Sequence, residues 1–268
     1  MRKVLIWSIR VLGALVLVAF LFAGAVAGWS YWRITDGLPD HRLVAGASSW
    51  HGCIPPDARR AEFVPLNAMP ANAINAFLAV AEPDFLTREA YIPTTDGLRR
   101  LWRGWLLGDR RARASLGTSP ISVPYVHQLL FCLNRPTGDQ ALWGSKTSWL
   151  QYRIERDLPR RSILETVINT EYFQLGAYGM PAAALRYFQK PLTELSTGEL
   201  AFVASMRARS NPRGLPRNYM GLPLDRRNAI LKEMLMIRNI ILDRMTGTGA
   251  LTADQAAAAK LEQLNLKL

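Results

Sequence analysis

Residues 11–28 carry no charged side chain. A run of that length is about the minimum that crosses a hydrocarbon core ~30 Å thick as a helix. Arg2, Lys3 and Arg10 precede it, and Trp29, Tyr31 and Trp32 follow it. Cationic flanks stay on the cytoplasmic side, and amphipathic rings settle at the far interface. The reading is a single-pass anchor over residues 1–32 in the inner (cytoplasmic) membrane, N-terminus in, with the rest periplasmic or otherwise extracytoplasmic. Ala25-Val26-Ala27 also fits the small-x-small pattern of a signal-peptidase site. The run is longer than a usual signal h-region, however, and the aromatic belt suits a retained helix. No later stretch is long and apolar enough for a second span.

The chain of 268 residues leaves room for one ordinary domain beyond the anchor. Its net charge is +12; without Arg2, Lys3 and Arg10 the remainder holds 30 basic and 21 acidic residues, a net +9. For an extracytoplasmic domain that surplus points to anionic headgroups and pyrophosphate-linked lipids, not to nucleic acid. Cys53 and Cys132, the two cysteines, lack the spacing of a metal site. Outside the cytosol they either pair or serve as small buried hydrophobes.

Glycines and prolines from Gly37 to Pro65 break any helix, so residues 33–66 read as an extended linker and 67–268 as the domain. Apolar residues recur at helical spacing over 71–81, 160–169, 180–188, 197–207 and 226–245. Ser119-Pro120 reads as an N-cap and first helical position, although Pro124 would break a helix begun there. Thr252 and Gln255 form a capping box for a last helix. No strand-like alternation persists, and the expected class is mostly α. Residues 98–113 interleave six arginines with Trp102, Trp105 and leucines, a pattern suited to a membrane interface.

Ile163-Leu164-Glu165 through Asn169 is followed by Tyr172-Phe173, Gly176-Ala177-Tyr178-Gly179, Ala182-Ala183-Ala184, Tyr187-Phe188 and Lys190-Pro191. That ordered string resembles the fourth signature of family 51 glycosyltransferases, the peptidoglycan glycosyltransferases. Leu195-Ser196-Thr197-Gly198-Glu199-Leu200-Ala201, with Asn211-Pro212, is similar to the fifth. Gly117-Thr118-Ser119-Pro120-Ile121-Ser122 resembles the second. The resemblance spans roughly residue 71 to the C-terminus. It implies a lysozyme-like helical fold and polymerisation of lipid II. The acceptor hydroxyl would need a carboxylate base. The leaving pyrophosphate would need cations or a divalent metal such as magnesium; no metal-ligand set is read from the residues themselves.

The polar signatures depart from the pattern. With Phe85 as the landmark of the first signature, the base position falls on Ala81, and Glu82 serves only if displaced by one residue. Counting back from Ile154-Glu155 puts Trp143, Gly144 and Thr147 at the Arg, Lys and Glu positions of the third. In the second, Val123-Pro124 replace paired glutamines and His127 replaces a lysine. Candidate site residues are therefore Glu82 as displaced base, with Ser119, Ser122, His127, Lys146, Arg153 and Asn169 as substrate contacts. Two readings follow: a glycosyltransferase with a rearranged site, or a non-catalytic relative that binds lipid-linked glycan or scaffolds cell-wall synthesis partners. A lytic hydrolase ranks behind both, with Glu82, Asp84 and Glu89 as its candidate acids.

A retained anchor predicts that membrane-extracted mature protein keeps its intact N-terminus; N-terminal sequencing that starts at Gly28 refutes it.

Overall fold

A computed structural model of the chain describes residues 2–40, 59–60, 63–89, 121–132, 140–207, 214–216 and 218–267. Ser119, Cys53 and the arginine–tryptophan stretch 98–113 lie outside the described residues, so the expectations placed on them stay as stated. The architecture is mostly α, as expected.

Helix α1 (Arg2–Thr35) contains the uncharged run and continues three residues past the expected boundary at 32. It is the one described helix long and apolar enough to cross a membrane. Helix α2 (Ala71–Ala81) buries Ala73, Ala76 and Phe77 at the expected spacing. It ends because Glu82 precedes Pro83: the pyrrolidine ring disfavours helical backbone in the residue before it, and Glu82 is extended at φ −164°, ψ 92°. Helix α3 (Ser122–Cys132) begins later than the Ser119-Pro120 reading. That start places Pro124 in the first turn, where its missing N–H costs no helical bond.

Hydrophobic spacing alone does not predict helix α4 (Gln140–Asp157). Its inward face carries Thr147, Leu150, Gln151, Ile154 and Glu155, all buried, and this mixture of polar and apolar groups dilutes the hydrophobic period. Helices α5 (Arg160–Thr170), α6 (Met180–Phe188), α7 (Thr197–Ser205), α8 (Leu224–Gly247) and α9 (Ala253–Leu261) follow within a few residues of expectation. The Thr252–Gln255 capping box is present.

Helix α7 lies at the centre, buried from Gly198 to Ser205 and packed by α2, α6, α8 and α9. Its first N–H groups are satisfied internally. Ser196 and Glu199 form a reciprocal capping box, and Glu262 Oε2 accepts from Gly198 N–H at 3.0 Å. Carboxylates at a helix N-terminus also complement the macrodipole. Arg238, buried, donates to the carbonyls of Lys260 and Glu262 at 2.6 and 3.0 Å. It thereby ties the C-terminal end of α9 to α8.

The end of the stretch read as linker is built into the domain. A two-residue strand β1 (Arg59–Arg60) pairs in parallel with β2 (Ala177–Tyr178). Val64 exchanges two bonds with the Asn169 side chain, at 3.0 and 2.9 Å, and Leu66 N–H donates to Glu165 at 2.6 Å. Extended backbone has unpaired N–H groups of its own, and α5 side chains supply the acceptors.

Gly179 sits between β2 and α6 at φ +87°, with its Cβ direction 2.1 Å from the Asn169 carbonyl oxygen. Gly179→Ala is expected to cost roughly 2 kcal/mol or more, since both the backbone conformation and the contact oppose a side chain. Thermal unfolding in detergent that leaves the midpoint unchanged would contradict this.

Candidate functional site

Phe85 anchors the candidate site, fully buried one turn after α2. The backbone from Glu82 to Arg88 folds on itself: Phe85 N–H donates to the Glu82 carbonyl at 3.1 Å, and Arg88 N–H to the Asp84 carbonyl at 2.8 Å. That turn returns Arg88 over the Phe85 ring, with its guanidinium carbon 5.4 Å from the centroid. Arg160 also stacks on Phe85, at 5.5 Å, and donates to its carbonyl at 2.6 Å.

Arg88 is the hub. Its Nε donates to Glu82 Oε1, and its two terminal nitrogens hold Glu155 bidentately at 2.8 and 2.9 Å. The Glu155 side chain is fully buried, whereas that of Glu82 is 13% exposed. Ser122, at the start of α3, donates to Glu155 Oε1 at 2.6 Å, and Gln151 adds a longer bond of 3.3 Å. A buried carboxylate is tolerated when it is paired and hydrogen-bonded in this way. Burial works against the charge on Arg88, but hydrogen bonding and attraction from Glu155 and then Glu82 outweigh it and raise its pKa. Arg160 is pushed the other way, by burial and by repulsion from Arg88.

The nominated residues fall into different places. Glu82 and Ser122 join the Arg88 network. Glu82 has left the helix, so its direction follows from the turn before Pro83 and not from helical phase. Asn169 is engaged with main chain, since it brackets Val64 and also donates to the Glu165 carbonyl at 2.8 Å. His127 is half-buried, its ring 6.0 Å from that of Trp143. Lys146 Nζ donates to the Asp36 carbonyl at 2.9 Å, where α1 ends. Arg153 lies half-buried on the outer side of α4. Thr147 is buried on the inner side, and its hydroxyl has no hydrogen-bond partner among the described residues.

Arg88, Gln151 and Arg160 are not among the candidates drawn from the sequence, and Glu155 served there only as a landmark. The available signal was Gln151 and Glu155 one turn apart beside Ile154, two polar groups on a helix face that also buries leucine and isoleucine. A divalent cation does not fit this site. Glu82 and Glu155 both converge on a guanidinium, and no group of three His, Cys, Asp or Glu gathers among the described residues.

Comparison with known proteins gives the fold its family. The transglycosylase family matches residues 50–235, more than half of the chain. Penicillin-binding protein 1A of Rickettsia felis is 30% identical over 205 residues, 75% of this chain and 23% of that protein. Penicillin-binding protein 1A of Aquifex aeolicus is 30% identical over 244 residues, 84% of this chain and 31% of that protein. The crystal structure of penicillin-binding protein 1A from Haemophilus influenzae is 20% identical with a TM-score of 0.41, covering 78% of this chain and 18% of that one. The chain belongs to the transglycosylase family. It spans less than a third of the length of the Rickettsia and Aquifex relatives.

Removing one partner of a buried ion pair leaves a charge uncompensated. Arg88→Met is therefore expected to destabilise by about 3 kcal/mol, and the double variant Arg88→Met/Glu155→Gln to recover much of that loss. Denaturant titration in detergent of these two and of Glu155→Gln alone tests it: additive losses would mean that the pair is not coupled.

Proposed function

We propose that this chain is a membrane-anchored transglycosylase-family protein that binds lipid II, or the nascent glycan strand, without polymerising it. Its place is the inner membrane, with the N-terminus in the cytoplasm and the helical domain outside. There it holds lipid-linked glycan in reach of partner proteins of cell-wall synthesis.

One observation carries the non-catalytic reading. Glu82, the remaining carboxylate beside the base position, is committed to Arg88, which Glu155 holds in turn. To take a proton from an acceptor hydroxyl, Glu82 would have to break that ion pair and reach the substrate within hydrogen-bond distance. Ala81 and Thr147 offer no carboxylate in its stead. Loss of a general base removes stabilisation specific to the transition state, whereas ground-state contacts to an anionic lipid-linked ligand persist. The basic surplus of the outer domain favours that ligand electrostatically. The rival reading, Glu82 as a displaced base, draws support from its extended backbone before Pro83, which frees its direction from the phase of α2.

Purified full-length wild type and Glu82→Gln, each incubated with lipid II, separate the two. The expected result is salt-sensitive binding of similar strength in both and glycan chains from neither. Glycan chains from wild type alone would make Glu82 the base and overturn the proposal.

A further inference from the structure

Helix α4 has two faces of opposite character. Lys146, Trp149, Arg153 and Arg156 follow one another at steps of three and four residues, so they share one side of the helix. The other side holds Glu155 and the buried residues around it. The end of α1 packs against this outer side: Tyr31 meets Trp149 edge-on with centroids 5.4 Å apart, and Lys146 reaches the Asp36 carbonyl. Tyr152 extends the aromatic row, 5.7 Å from Trp149 and beneath the Arg156 guanidinium at 5.3 Å.

The depth of this contact follows from helix geometry. Tyr31 lies three residues beyond Gly28, where the apolar run ends, a rise of about 4.5 Å. Headgroups add roughly 5–7 Å on each side of the hydrocarbon core. A residue packed beside Tyr31 therefore sits at headgroup level when α1 spans the bilayer. We infer that the outer face of α4 is a docking surface for anionic phospholipid, its ammonium and guanidinium groups meeting headgroup phosphates. The inference rests on the anchored reading of α1 and adds a second, charge-selective membrane contact to it. Charge supports it after the local carboxylates are counted. Lys146, Arg153 and Arg156 stand beside Asp36 and Asp157, of which Asp157 is bound to Arg156 at 2.6 Å. The surplus remains cationic, and half-exposed long side chains can reach outward to phosphate. Such a contact would hold α4, and with it Glu155 and Arg88, at a set height above the bilayer.

The test uses the full chain in nanodiscs of phosphatidylcholine alone and of phosphatidylcholine with phosphatidylglycerol. Amide hydrogen exchange is followed separately in α1 and α4. The expected result is protection of the α1 run in both lipids, with α4 exchange roughly tenfold slower in the anionic discs. Added salt should remove that difference, and so should the variant Lys146→Gln/Arg153→Gln/Arg156→Gln. Protected α1 amides with α4 exchange indifferent to lipid charge would overturn this inference and leave the anchor intact. Unprotected α1 amides would overturn both.

Discussion

A helix buried on every side has no water to satisfy its first N–H groups, so its neighbours must bring the acceptors. Helix α7 imposes that constraint on this fold. Ser196 and Glu199 cap it from its own chain, and Glu262 arrives from beyond α9. Close packing around it requires a backbone without Cβ at Gly198, where a methyl group would lie 2.4 Å from Glu262 and 2.8 Å from the Ala259 carbonyl. The order of α8 and α9 around α7, and the buried Arg238 that joins those two, follow from the same requirement.

The second buried charge system stands at the opposite end of α2. Arg88 serves two carboxylates at once, and the buried one, Glu155, also takes the Ser122 hydroxyl. The network joins the turn after α2 to α3 and α4, so it binds together three separate stretches of chain. A pair of this kind specifies geometry more than it adds stability. Glu155 holds Arg88 in place, and Arg88 in turn pairs with Glu82. Glu82, one residue from the base position that the family resemblance implies, is paired with a guanidinium.

Helix α4 links this network to α1. Its inner face supplies Glu155 and Gln151, and its outer face receives the end of α1 through Tyr31 and Lys146. One helix thus connects α1 to the candidate site through side chains on its two faces, within a turn or two of each other.

Much of this was legible without coordinates. The uncharged run, the ordered Tyr-Phe, Gly-Ala-Tyr-Gly and Ala-Ala-Ala motifs, and the later helices follow from local chemistry: hydrophobic period, glycine and capping residues act on near neighbours in sequence. Helix α4 lacks a clear hydrophobic period because its buried face is half polar, and the bonds of Asn169 to Val64, 105 residues away, leave no local trace. The role of Arg88 was hidden for the same reason, since Glu155 lies 67 residues along the chain. The sequence by itself determined the long apolar N-terminal helix, the helical class and the family, because each depends on patterns of short period. Only the tertiary structure decided which carboxylate is buried, which arginine neutralises it and that Glu82 is committed to that arginine. Pairing across long separations depends on how helices pack, and packing is not written in any one segment.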